Sequence, residues 1–304
     1  MALSETAKVR LAFIRHLLVV ADREGASPEP LRSASLLLLH DAVELFLLLA
    51  AEQLDVKVGK DTSLDALFGT VSAKLEPAGL TRREQLRRLN TARVGLKHHG
   101  THPSRHDLQE FRSVSEAFFS ENCDRVFGLP LSEVSLSALV QWAPVRGPLL
   151  TSEERHTSGE LREAVEQTTL AFGVLLQEVS KRAATWTDRR LRHSLPRPGP
   201  NDNRSTQALF YVVEELQKSV DHLHEEIATL KLGLDPQELT RFRRLTPQMS
   251  WGGDKFFWPP SRSPADDDFV FCFGFVLEAA LRFQAIWPPP AVTSPQGESA
   301  VHSA

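Results

Sequence analysis

The run Leu36-Leu-Leu-Leu-His40-Asp41-Ala-Val-Glu44-Leu-Phe-Leu-Leu-Leu49 is apolar except for three polar side chains near its middle. It is shorter than the roughly 20 apolar residues that a bilayer requires, and ionisable groups at its centre would be costly in lipid. The run therefore predicts a buried core helix, from about Pro30 to Leu54, in an all-α protein with no membrane partner.

Helical signals continue on both sides of this run. An N-terminal helix near residues 4–22 has an apolar stripe at helical spacing: Val9, Phe13, Leu17 and Val20. Further helices are predicted after Ser63, from a capping box at Thr81-Arg-Arg-Glu84 to His98 or His99, and from Ser104. Gly100 and Pro103 would end the helix that starts at Thr81. Five helices in about 125 residues predict a compact bundle.

The C-terminal half is also predicted to be helical. A boundary at 142–148 precedes a second capping box, Thr151-Ser-Glu-Glu154, which would open a helix to about Trp186. Helices at 205–232, after Asp235 and at 266–283 follow, and the apolar faces of 155–186 and 206–232 are interpreted as bundle core. The predicted organisation is a bundle at 1–128, a connector at 129–150, a helical region at 151–287 with a Pro/Gly loop at 195–203, and a disordered tail at 288–304.

Composition restricts the function classes. The chain has 304 residues and a formal net charge of −4, which argues against a globally basic nucleic-acid coat but allows a local basic groove. Its two cysteines have no metal-ligand spacing, and the N-terminus lacks the pattern of a signal peptide. We therefore expect a reducing, cytoplasmic location.

The segment Arg93-Val-Gly-Leu-Lys-His98 carries the candidate chemistry. About one arginine five residues before a histidine is expected by chance, so the context matters more than the spacing. Arg93 follows Leu86 and Leu89 on an apolar stripe, where a guanidinium is costly without an anionic ligand or a partner. Residues five apart diverge by about 140° in a continuous helix, so a frayed last turn would be needed to bring His98 round.

The surrounding sequence is basic. From Thr81 to Arg105 it has seven Lys or Arg against one Glu, together with His98, His99 and His102. An arginine can hold a scissile phosphate, and a histidine titrating near neutrality can move the proton of a ribose 2′-hydroxyl or of the leaving oxygen. This chemistry needs no metal or cofactor and is restricted to RNA, because DNA lacks the hydroxyl.

The sequence from Leu39 to Leu45, together with Arg93-Val-Gly-Leu-Lys-His98-His99-Gly100 ahead of a further helix, resembles the HEPN domain family over about residues 1–128. The resemblance implies a helical bundle that dimerises. It also implies a metal-independent endoribonuclease of a toxin–antitoxin or phage-defence system. The family's Arg-x(4–6)-His pair lines a cleft at the dimer interface, which here means Arg93 and His98. Supporting roles would fall to His40, Glu44, Lys97, His99 and His102.

The sequence departs from the family pattern at two positions. Val94 stands where a polar residue is frequent, and Gly100 stands where some members have a tyrosine. Many members of the family are also non-catalytic. The competing hypothesis is therefore a helical interaction or regulatory module that binds an antitoxin or another regulatory protein.

Other interpretations of the same residues stay open. Arg93 could pair with Glu44, and His98 could serve a helix C-terminus. A metal site built from the clustered histidines with His40 and Glu44 is less favoured, because Gly100 and Pro103 interrupt the run. A second basic run, from Lys181 to Arg204, could track a nucleic-acid backbone but is more typical of a solvated helix end. The aromatic loop at 251–260 favours packing over base stacking.

Overall fold

The computed structural model describes residues 3–60, 62–182, 203–249, 256–258 and 263–288. These residues form an all-α protein, as predicted, in which the described strands are one short antiparallel pair, β1 (Gln248–Met249) and β2 (Phe256–Phe257). The chain divides into two compact units, Met1–Leu139 (unit 1) and Val140–Ala304 (unit 2). The division falls within the range 129–150.

Unit 1 contains five α-helices joined by short connections. They are α1 (Glu5–Gly25), α2 (Ala34–Gln53), α3 (Leu64–Ala73), α4 (Arg83–His99) and α5 (Arg105–Phe127). Single 3-10 turns precede α2 at Leu31–Ser33 and follow α5 at Leu131–Glu133 and Leu136–Leu139. Helix α2 contacts α1, α3, α4 and α5, so it is the central helix of this unit.

The core of unit 1 is built around Phe46 of α2. Its ring packs edge-on against Phe118, Phe119 and Phe127 of α5, with ring centroids 5.2–5.4 Å apart. Phe46, Phe118 and Phe119 are fully buried or nearly so. Edge-to-face aromatic pairs add to the stabilisation from apolar burial. The apolar run at 36–49 is thus buried on the sides that face the other helices, as the sequence predicted.

By length and composition, two described helices could cross a bilayer: Leu31–Gln53 and Asp266–Ile286. In their most apolar windows, 61% and 50% of the residues are buried inside the protein. Core helices of water-soluble proteins meet the same criterion. The finding by itself therefore assigns neither helix to a membrane.

The apolar stripe of α1 does not mark its buried face. Val9 and Phe13 are exposed, whereas Leu11 and Ile14, on the other side of the helix, are fully buried. Both faces of α1 are rich in apolar residues, and spacing alone cannot distinguish them. Contacts with α2 and with the turn at 136–139 fix which face is inside.

Two of the predicted helix starts in unit 1 are confirmed, and one is wrong. Ser63 caps α3, and Ser104 caps α5 in a reciprocal bond pair with Asp107. Thr81 does not cap α4, because Arg82 occupies that position in a left-handed conformation. The Thr81 hydroxyl instead donates to Glu121 of α5. A tertiary partner has displaced the local capping box.

Unit 2 contains the helices α6 (Ala143–Thr157), α7 (Leu161–Arg182), α8 (Arg204–Lys231), α9 (Pro236–Leu245) and α10 (Asp266–Ile286). The prediction of one helix starting at Thr151 is wrong. Helix α6 begins eight residues earlier, and the chain breaks after it at Gly159, which has a left-handed φ of 78°. Thr151, the predicted cap, lies inside α6. The neighbouring Ser152 is fully buried and donates to the Ala164 carbonyl, so it joins α6 to α7.

The interpretation of residues 206–232 as bundle core is also wrong for most of α8. Leu209, Leu216, Leu223 and Leu230 are all exposed. Near the end of the helix, Ala228 and Thr229 are buried on another face. The loop at 195–202 and the tail after residue 288 lie outside the described residues.

Each unit contains one cysteine. Cys123 in α5 and Cys272 in α10 form no disulfide and have no exposed surface. Burial raises the pKa of the Cys123 thiol to about 12. A buried thiol that stays protonated is chemically inert, so Cys123 serves as a small core residue.

Candidate functional site

Helix α4 positions Arg93 at the edge of the core of unit 1. Leu89 and Leu86, one and two turns earlier on the same side, are buried, and Arg93 itself is half-buried. Its Nε is buried without a hydrogen-bond partner. Within the described part of the chain Arg93 makes no ion pair, and the expected pairing with Glu44 is not found. A half-buried guanidinium in this position can donate its N–H groups to a bound anion.

Asn90, one turn before Arg93, connects α4 to the polar centre of α2. The Nε2 atom of His40 lies 3.0 Å from Asn90 Oδ1. His40 is only 2% exposed, and its second ring nitrogen, Nδ1, is buried without a hydrogen-bond partner. Nδ1 lies 3.5 Å from the Asp41 carboxylate and 3.7 Å from that of Glu44. The sequence singled out His40 and Glu44 but missed Asn90, which could have been found from its position three residues before Arg93.

His98 lies on a different side of α4 from Arg93. The expected fraying of the last turn is not observed, because α4 is continuous to His99 and ends at Gly100 in a left-handed conformation. Five residues of continuous helix turn the two side chains about 140° apart. A single chain therefore does not bring Arg93 and His98 together.

Three of the supporting residues proposed from the sequence lie near the end of α4. Lys97 and His99 are exposed near the end of α4, like His98. His102, in the turn that follows, is also exposed, and its Nδ1 lies 2.8 Å from the Ser33 hydroxyl before α2. These residues lie at the same end of the helix as His98, and His102 is fixed there by its contact with Ser33.

The charge of α4 is neutralised at one end only. The arginines at and after its start are paired with carboxylates: Arg82 with Glu121, Arg83 and Arg87 with Asp65, and Arg88 with Glu110. Farther along, Arg93, Lys97 and Arg105 pair with no carboxylate among the described residues. The end of α4 and the turn after it are thus left with uncompensated positive charge. Such a surface attracts an anionic ligand.

The carboxylates at the neutralised end titrate unusually. Hydrogen bonds from Arg82 and Thr81 lower the pKa of Glu121 to about 2. Hydrogen bonds from Arg87 and Arg83 hold the pKa of Asp65 well below its usual range. Charged donors favour the ionised form of a carboxyl group. These carboxylates therefore stay ionised and tie α4 to α3 and α5 at neutral pH.

One group of potential metal ligands occurs in the described part of the chain. His40, Asp41 and Glu44 place one ligand atom each within 4.8 Å of one another. A neutral histidine bonded through Nε2 to Asn90 would present Nδ1 as a ligand, and nitrogen with carboxylate oxygens suits Zn²⁺. The clustered histidines at 98–106 do not join this group.

The remaining sequence candidates are less suited to binding. The Trp258 indole donates to Glu166 at 2.6 Å, and Arg162 lies over its ring, so this aromatic group packs on α7. Most of the basic run from Lys181 to Arg204, and Trp251, lie outside the described residues. Of the described members, Lys181 pairs with Glu178.

Comparison with known proteins returned no relatives. No protein-family model matches the chain, and neither a curated protein nor a solved structure matches it.

Proposed function

We propose that unit 1 is a HEPN-like, metal-independent endoribonuclease domain of a toxin or phage-defence system. The observation that carries the proposal is the half-buried Arg93, which has no carboxylate partner among the described residues and lies where α4 keeps uncompensated positive charge. A partly desolvated guanidinium of this kind binds a phosphate more strongly than a fully solvated one.

The reaction assigns one role to each residue. The ribose 2′-oxygen attacks the neighbouring phosphorus, the bond to the 5′-oxygen breaks, and a 2′,3′-cyclic phosphate and a 5′-hydroxyl form. His98 takes the 2′-hydroxyl proton or gives a proton to the leaving oxygen. Arg93 holds the phosphate and offsets its growing negative charge. His40 and Asn90 act through the position of α4.

The divergence of Arg93 and His98 within one helix favours a site that needs two copies of unit 1. A second copy facing the end of α4 would supply the histidine or the arginine that one chain does not bring into reach. This requirement agrees with the dimer-interface cleft that the family resemblance implies, and RNA is the expected ligand.

The decisive experiment uses the purified full-length chain with RNA in a chelating buffer. Wild type should release fragments with cyclic phosphate ends from RNA and leave DNA of the same sequence intact. Arg93→Ala, Arg93→Lys and His98→Ala should each lower the rate at least about 100-fold while the circular dichroism spectrum is retained. His106→Ala, an exposed histidine on α5, is the matched control and should retain activity.

The same variants test the competing function in cells. A ribonuclease should arrest growth when expressed in a bacterium, and His98→Ala should relieve the arrest. If wild type and variants are equally tolerated and the purified protein leaves RNA intact in chelator, unit 1 is a non-catalytic module. That alternative applies if no second copy completes the site, because one chain keeps Arg93 and His98 on different sides of α4.

A further inference from the structure

Helix α8 carries a seven-residue repeat. Leucine recurs at Leu209, Leu216, Leu223 and Leu230. The positions three residues before each leucine are β-branched throughout: Thr206, Val213, Val220 and Ile227. The 28 residues of α8 therefore hold four consecutive heptads with β-branched residues at position a and leucine at position d.

Unit 2 leaves the leucines of this repeat exposed, and at position a it half-buries Val213 and Val220. The four leucines are between 55% and 64% exposed, and Ile227 is 48% exposed. Helix α8 contacts α7 and α9, but Ala228 and Thr229, its buried residues near the C-terminal end, lie at heptad positions b and c, off the a/d seam. The helix thus uses one face for its own unit and presents the heptad seam outward. A continuous apolar stripe of this length marks an interaction surface.

The composition of the seam indicates its occupant. β-Branched residues at a with leucine at d favour two parallel strands over three or four. In a parallel pair, position g of one helix faces position e of the next heptad on the other. Between the third and fourth heptads those positions are Glu226 and Lys231, which carry opposite charges. In its own chain the Glu226 carboxylate lies 3.8 Å from Arg243.

We propose that α8 pairs with α8 of a second copy of this chain in a parallel, two-stranded coiled coil. The seam is self-complementary, since each leucine meets its own counterpart and each Glu226 meets the Lys231 of the other copy. At 1.5 Å per residue the paired region is about 40 Å long. The inference stands apart from the ribonuclease proposal, because α8 belongs to unit 2 whereas Arg93 and His98 belong to unit 1.

Sedimentation analysis of the full-length chain tests the pairing. Wild type should have twice the 33.9 kDa mass of one chain. Leu216→Glu/Leu223→Glu places charges in the seam and should raise the dissociation constant at least about 100-fold. Tyr211→Glu is the matched control, because Tyr211 is exposed on α8 at position f, and it should remain dimeric. A circular dichroism spectrum and a urea unfolding midpoint equal to those of wild type would show that the double variant is folded.

Orientation and charge are tested separately. Leu209→Cys should form an intermolecular disulfide on mild oxidation, because parallel chains bring the two cysteines together, whereas antiparallel chains would hold them roughly 30 Å apart. Cys123 and Cys272 are buried and do not compete. Lys231→Glu should weaken the dimer about five- to tenfold, and adding Glu226→Lys should restore it.

Three outcomes would overturn the inference: a monomeric wild type, a dimer that survives Leu216→Glu/Leu223→Glu, or a trimer or larger assembly. A dimer without the Leu209→Cys disulfide would overturn the parallel arrangement. A monomeric wild type would also contradict the two-copy site proposed for unit 1. A dimer that survives Leu216→Glu/Leu223→Glu, or a larger assembly, would overturn only the pairing of α8 and would leave the expected effects of Arg93→Ala and His98→Ala on RNA cleavage unchanged.

Discussion

His40 shows how a single polar residue fixes the contact between two helices. It lies in the middle of α2, the central helix of unit 1, where a polar group without a partner would be costly. Its bond to Asn90 Oδ1 satisfies one ring nitrogen and sets the position of α4 one turn before Arg93. The sequence indicated a buried core helix with His40 near its middle but did not indicate Asn90 as the partner of His40. The interhelical partner could not be found from spacing within α2.

Removing this bond should destabilise unit 1. Asn90→Ala leaves both ring nitrogens of the buried His40 without a hydrogen-bond partner, and we expect the free energy of unfolding to fall by about 1–3 kcal/mol. Urea unfolding followed by circular dichroism measures the change. Thr91→Ala is the control, because Thr91 is exposed and bonds only to the Arg87 carbonyl of its own helix. Equal stability of the two variants would show that the His40–Asn90 bond contributes nothing.

At the level of helices, the predictable boundaries were those set by local chemistry. Ser63, Ser104 and Asp235 each accept a backbone N–H of the helix that follows, and these starts were identified from the sequence. The boundary between α6 and α7 was missed because it depends on Gly159 and on the burial of Ser152 between the two helices. A sequence pattern records which caps are possible, and tertiary contacts select among them.

The end of α4 provides a pair of opposed substitutions. Gly100 has a φ of 65°, in the left-handed region, so Gly100→Ala should lower the free energy of unfolding by about 1–2 kcal/mol. Gly95 lies inside the same helix, and a Cβ there would meet Thr101 at an ordinary 3.8 Å. Gly95→Ala should therefore raise the free energy of unfolding by about 0.5–1 kcal/mol. Thermal unfolding shows whether each variant is less or more stable than wild type. A Gly100→Ala variant more stable than wild type would contradict the assigned helix end.

For the whole molecule, the paired carboxylates predict the response to acid. The folded-state pKa of Glu121, about 2, lies below its ordinary value of 4.5. Its stabilising contribution is therefore complete above pH 4.5 and is lost as the pH falls towards 2. Glu121→Gln should be less stable than wild type at pH 6, and the difference should shrink by pH 3.

Urea midpoints at the two pH values measure this change. Glu133→Gln is the control, because Glu133 is an exposed carboxylate with no ion pair among the described residues. A Glu121→Gln variant whose midpoint differs from wild type equally at pH 6 and pH 3 would contradict the ionised pairing with Arg82.

The sequence predicted the all-α class and located Arg93 on an apolar stripe, because both follow from periodicity. It could not show that Arg93 has no carboxylate partner while four neighbouring arginines have one, since those partners come from α3 and α5. Nor could it show that the apolar face of α8 is exposed, because an amphipathic pattern is the same whether its partner belongs to the same chain or to another.

The two buried cysteines can report local unfolding of the units that contain them. Each unit holds one thiol, and neither thiol can meet a small alkylating reagent until the helices around it separate. Mass spectrometry of the two cysteine-containing peptides would then time the opening of α5 and of α10 independently, in one sample and without any introduced label. Units that open together would label at one rate, and units that open separately would label at two.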